Sequence, residues 1–149
     1  MDNDFTTSST LKKEANRLGI PLRAIAYKDT LPFIKDDGGY IVNMASSDAP
    51  AGTHWVALWK EGDETFYFDS FGLELPTEIK DRITTKRAYR NGKWIQDIDA
   101  GYCGAYCVEW LEEMNKTSTT NKEDMKRFQN YFSKDTKKNI PILRRLMHR

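Results

Sequence analysis

Two runs near the middle of the chain, "THWVALW" and "TFYFDSF", carry its most concentrated hydrophobic pattern. Both are rich in aromatic and β-branched residues, which suit a pleated surface, so both are predicted strands. Only "KEGDE" separates them, a polar turn with one glycine, and the pair reads as a hairpin. Upstream, "SSTLKKEANRLGIPL" puts Leu11, Ala15 and Leu18 on one helical face. Ser9 or Thr10 can cap that helix, and Gly19 with Pro21 stops it. "AIAY" is a short apolar run, "GGYIVNM" a further strand, and "ASSDAPAG" a loop by composition. Downstream, "LPTEIKDRI" is a short helix opened by Pro76, and Asn91-Gly92 in "KRAYRNGKWIQ" is the strongest short hairpin signal. Cys103, Cys107, Trp110 or Leu111, and Met114 then recur at helical spacing. "TSTTNKED" is a linker that offers caps, "KEDMKRFQNYFSK" is amphipathic, and "IPILRRLMHR" closes the chain. Helix, several strands, then helices is the order of an α+β fold rather than of alternating βαβ units.

Composition narrows this picture without redirecting it. A length of 149 residues favours one domain, 1–149, and 39% hydrophobic residues with 18 aromatics are enough to close a core. No apolar run approaches the roughly 18 residues of a membrane helix, and no membrane partner is expected. The opening "MDNDFTTSSTLKK" lacks the basic and apolar regions of a signal peptide, so secretion is not expected. Two cysteines four positions apart make a poor disulfide framework and fit a reducing compartment. The net charge of +1 hides an asymmetry: residues 1–115 carry 13 Lys+Arg and 19 Asp+Glu, and residues 116–149 carry 10 and 3. The basic C-terminal helical segment 116–149, with Lys137, Lys138, Arg144, Arg145 and Arg149, is either a solvated face or a surface for DNA.

The candidate chemistry centres on four residues. The chain has two histidines, and His148 is next to last. His54 lies inside "HWVALW", where a polar ring needs a partner, if only a backbone carbonyl. The hairpin offers a better one. A turn centred on Glu61-Gly62 puts Asp69 directly opposite His54, and one centred on Gly62-Asp63 puts it diagonal on the same face. A one-residue slip would send the two to opposite faces. Cys103 stands at the head of a helical pattern, where backbone N–H groups and the helix dipole favour a thiolate. Gly101 and Gly104 flank it and leave room for a substrate backbone. An imidazole nearby would complete a Cys–His pair oriented by a carboxylate. Cys107, one turn later, fits a small buried hydrophobe. A zinc site from the two cysteines and a histidine matches no common spacing, so no metal is expected. For an oxyanion hole the Cys103 amide is one donor, and the Gln96 side chain is a second candidate.

"GTHWVALW", "YFDSFG", then Gln96 and "GYCGAYC" resemble the papain-like cysteine endopeptidases that include the adenovirus endopeptidase (adenain) and the SUMO-specific proteases. The family order of His, acid, Gln and Cys appears here as His54, Asp69, Gln96 and Cys103, and the resemblance spans roughly residues 40–112. It implies a mixed central sheet packed against helices, with the nucleophile at the N-terminus of a central helix. It further implies that Cys103 attacks a peptide carbonyl, His54 shuttles the proton, Asp69 holds the imidazolium, and Gln96 steadies the oxyanion. Trp55 would line the active site. The small size looks more like maturation proteases of large DNA viruses and virophages, acting on virion precursor proteins at glycine-containing sites. The implied location is the virion and the host cell interior, and the implied state is a monomer. Rival readings are a deconjugase of ubiquitin-like modifiers, an acyltransferase and an inactive binding module. The chain has no third cysteine for a disulfide-linked peptide cofactor, so none is expected, while DNA stays open as an activator.

Overall fold

The protein is described from a computed structural model that covers residues 7–48, 54–97, 101–116 and 119–148. Helix α1 (Ser8–Arg17) leads into β1 (Leu22–Tyr27), β2 (Gly38–Asn43), β3 (Trp55–Glu61) and β4 (Glu64–Phe68). Then follow a short α2 (Thr77–Lys80), β5 (Arg87–Arg90), α3 (Cys103–Met114), α4 (Asn121–Asn130) and α5 (Asn139–Met147). The fold is α+β, with one mixed five-stranded sheet in the order β1-β2-β3-β4-β5. β1 runs parallel to β2, β2–β3–β4 are antiparallel, and β5 runs parallel to β4.

The pattern of "HWVALW" explains why both faces are covered. Side chains alternate across a strand. Trp55, Ala57 and Trp59 therefore join Phe66 and Phe68 in the larger core with α1, α3, α4 and α5. Val56 and Leu58 join Tyr40, Val42, Tyr67, Leu31, Ile34 and Ile79 in a second core under α2. α3 is buried on nearly every side, including both cysteines and Trp110, so it is the central helix against β3. No helix among the described residues is long and apolar enough to cross a membrane.

Two local expectations change. The cap of α1 is Thr7, not Ser9 or Thr10: its hydroxyl accepts from the Thr10 N–H, and the Thr10 hydroxyl reciprocates at the Thr7 N–H. Asn91-Gly92 forms no hairpin. The chain leaves β4, crosses over through α2 and returns as β5 beside and parallel to β4. Asn91 is fully buried, and its side chain is committed to hydrogen bonds in the site below. Asparagine followed by glycine is a turn signal only where the amide faces solvent and the flanking strands pair with each other.

α3 and α4 are joined by charge. The Glu113 side chain is wholly buried; it accepts from Arg127 Nε at 2.6 Å and sits 3.2 Å from Lys116 Nζ. Arg127 also bonds Asp124. Burial alone would raise the Glu113 carboxyl, but the hydrogen bonds from Arg127 and Lys116 outweigh it and hold it below 4.5. Replacing Glu113 by Gln should cost about 1–3 kcal/mol in urea unfolding at neutral pH. A depressed carboxyl contributes stability above its unfolded value and loses it as pH falls through its folded one. The gap between wild type and variant should therefore close as the pH is taken below about 4.5.

Candidate active site

The β3–β4 turn decides the centre of the site. Ladder pairs from Ala57–Phe68 to Glu61–Glu64 leave a two-residue turn at Gly62-Asp63. Gly62 has φ +61°, the positive value such a turn asks of its first position. Of the two registers that place His54 and Asp69 on one face, this is the diagonal one. His54 Nε2 lies 2.9 Å from Asp69 Oδ1, and the imidazole N–H donates. The same register, continued past the end of β4, sets Phe71 across from His54. The two rings stack, with centroids 4.7 Å apart.

Cys103 approaches from the other layer as the first residue of α3. Its sulfur accepts the Trp55 backbone N–H at 3.3 Å and lies near enough to the His54 ring to favour the protonated imidazole. Burial pulls the imidazole toward its neutral form, but the hydrogen bonds and charges of Asp69 and Cys103 outweigh it and raise His54 to about 9. An imidazolium at neutral pH is the natural counter-charge for a thiolate. Cys107 is fully buried, and burial pushes its thiol well up, which keeps it protonated.

Asp69 is itself held. It is buried, and its Oδ1 also accepts the Phe71 N–H at 2.9 Å. Asn91 clamps its backbone from both sides: Asn91 Oδ1 accepts the Asp69 N–H at 2.9 Å, and Asn91 Nδ2 donates to the Asp69 carbonyl at 2.7 Å. Parallel pairing explains the meeting, since neighbouring parallel strands end side by side and Asn91 follows β5 as Asp69 follows β4. Asn91 is one of the residues that sequence reasoning missed, with Ser70, Phe71 and Trp94. The turn signal of Asn-Gly hid it, and only the strand direction could have revealed it.

Ser70 does for Gln96 what Asn91 does for Asp69. The Ser70 hydroxyl donates to Gln96 Oε1, and the Ser70 carbonyl accepts the Ile95 and Gln96 N–H groups at 2.9 and 3.1 Å. With Oε1 engaged, the side-chain NH2 is the end of Gln96 that can still donate. The loop carrying Gln96 is pinned from outside by the C-terminal helices. Lys93 Nζ donates to the Gln129 and Phe132 carbonyls at 2.9 and 2.6 Å, and Asn139 Nδ2 donates to the Ile95 carbonyl at 2.8 Å.

The remaining candidates are placed as follows. Trp55 is only 5% exposed and packs in the larger core, which also holds Cys103, and its backbone N–H donates to the Cys103 sulfur. Gly101 is exposed with φ +70° and open space where a Cβ would project, whereas Gly104 is buried in the first turn of α3. Lys137, Lys138, Arg144 and Arg145 are exposed, and Arg144 Nη2 donates to the Tyr102 hydroxyl at 3.2 Å. Arg149 lies outside the described residues.

No family model matches the chain, and no curated protein matches it. Among solved structures, it is similar to the ASFV pS273R protease. Against the crystal structure of the selenomethionine form the identity is 19% and the TM-score 0.38, over 68% of this chain and 48% of that one. Against a second crystal structure the identity is 14% and the TM-score 0.45, over 87% and 66%. The chain spans about half to two thirds of the length of that protease.

The geometry sets two measurable outcomes. Iodoacetamide should label Cys103 in the folded protein and leave Cys107 until unfolding, as read by peptide mass mapping. His54 should titrate near 9 by NMR, and Asp69→Asn should bring it down toward the ordinary 6.5. A raised imidazole contributes stability that is full below 6.5 and lost as pH rises through about 9, so wild type should lose its stability advantage over Asp69→Asn across that window.

Proposed function

We propose that this chain is a cysteine endopeptidase that cleaves virion precursor proteins at glycine-containing sites. The observation that carries the reading is the Cys103–His54–Asp69 cluster at a helix start, with the Gln96 amide oriented by Ser70. Cys103 thiolate attacks the peptide carbonyl carbon and forms a C–S bond while the oxygen takes the negative charge. The Gln96 amide and the Cys103 backbone N–H donate to that oxyanion. His54, protonated and held by Asp69, gives its proton to the departing amine as the C–N bond breaks. Water, deprotonated by the now neutral His54, attacks the thioester carbonyl, and collapse releases the acid and restores the thiolate. The open space at Gly101 leaves room for a substrate backbone to approach the nucleophile. The exposed Lys137, Lys138, Arg144 and Arg145 are suited to DNA, which would concentrate the enzyme near a packaged genome.

Quenched peptides with glycine before the scissile bond test the reading. Cys103→Ala and His54→Ala should each abolish cleavage, and Asp69→Asn should leave a residual rate. Gln96→Ala should lower kcat by about 10²–10³-fold. The rate should decline as pH rises through about 9, where His54 loses the proton that the leaving amine requires. Intact turnover in Cys103→Ala would end the endopeptidase reading. For DNA, anisotropy of a labelled duplex should show log K falling with log[salt] at about −0.9 per phosphate neutralised; no binding at low salt would remove DNA as a partner.

A further inference from the structure

Large aromatic side chains are usually covered, and Trp94 is 52% exposed. It is not loose. Its indole N–H donates to the Gln96 carbonyl, and its ring meets Phe71 edge-on at a centroid distance of 6.3 Å. Phe71 in turn stacks on the His54 imidazole. Gly72 permits the arrangement: a Cβ there would come within 3.1 Å of the Trp94 nitrogen and 3.0 Å of the Lys93 carbonyl carbon. The next residue, Leu73, is 60% exposed. A fixed apolar shelf, Phe71–Trp94, therefore runs outward from His54 and is tied at its far end to the residue that carries the oxyanion donor.

Chemistry decides which part of a substrate meets this shelf. Cys103 holds the acyl half. His54 delivers its proton to the amine, so the leaving half departs over the imidazole, where Phe71 and Trp94 extend. We infer that the Phe71–Trp94 shelf is a specificity subsite for a large apolar side chain on the residue immediately after the scissile bond. This rests on the endopeptidase reading and adds a requirement to it: small on the acyl side, apolar on the leaving side. A rigid, half-exposed indole is suited to such an anchor because little side-chain freedom remains to be lost on binding.

Two series of quenched peptides test it in the full chain. One varies the residue after the scissile bond among Leu, Phe and Ser; the other varies the residue two before it. Wild type should prefer Leu or Phe over Ser by about tenfold or more in kcat/KM, within the range of one apolar contact in a pocket. Trp94→Ala should collapse that ratio toward one, and Trp94→Phe should keep it while lowering the overall rate through the lost bond to Gln96. A ratio is independent of the fraction of enzyme that folds. No preference in wild type, an unchanged ratio in Trp94→Ala, or a shift confined to the acyl-side series would each overturn the subsite while leaving the protease intact. Failure of wild type to cleave any peptide would instead sink the endopeptidase reading, and this inference with it.

Discussion

The register of the β3–β4 hairpin is the constraint on which the site depends. Side chains alternate with a period of two, so sliding β4 by one residue would carry Asp69 to the face opposite His54. That slip is resisted at both ends. Gly62 supplies the positive φ of a two-residue turn, and both faces of the hairpin are packed, so any slip exchanges the contents of two filled cores. Tyr67 and Phe68, which now face different cores, would have to trade places. The register thus fixes two partners of His54 at once, a carboxylate on Nε2 and an aromatic ring on its face.

The second constraint is the direction of β5. Because it runs parallel to β4, both strands discharge their chains at the same end of the sheet. Two loops then lie side by side, and each of the four residues in "DSFG" finds a task there. Asp69 holds His54, Ser70 holds Gln96, Phe71 covers the imidazole, and Gly72 leaves room for Lys93 and Trp94. Asn91 supports the first of these by occupying the backbone donor and acceptor of Asp69. A buried polar cluster of this kind is stable only when its members satisfy one another, since an unpaired buried group costs about 1–3 kcal/mol.

The helices complete the electrostatics. α3 brings Cys103 to the end of β3 with its N-terminus, the positive end of its dipole, at the sulfur. α4, α5 and their connection grip the Gln96 loop through Lys93 and Asn139, so the basic C-terminal segment is part of the support of the site as well as a charged surface. Burial alone would discharge the imidazole, and the hydrogen bonds and charges of Asp69 and Cys103 are what hold its proton.

Much of this was legible in the chain. Strand patterns near Trp59 and Phe66, the helical repeat from Cys103, and the shared face of His54 and Asp69 all depend on residues close in sequence. Within one hairpin the parity of spacing is enough to say which side chains face each other. The cap of α1 was misplaced because several neighbouring Ser and Thr residues compete for it, and the reciprocal bond between Thr7 and Thr10 selects one. Asn91 and Trp94 were not legible as parts of a site. Their roles follow from β5 pairing parallel with β4, a long-range choice that local propensity does not encode, and Asn-Gly by itself signals the opposite connection. The sequence by itself determined most of the elements, the parity of the β3–β4 hairpin and the chemical types present. Only the tertiary structure decided which loops lie together, because strand direction and burial are settled by packing the whole sheet between its two cores.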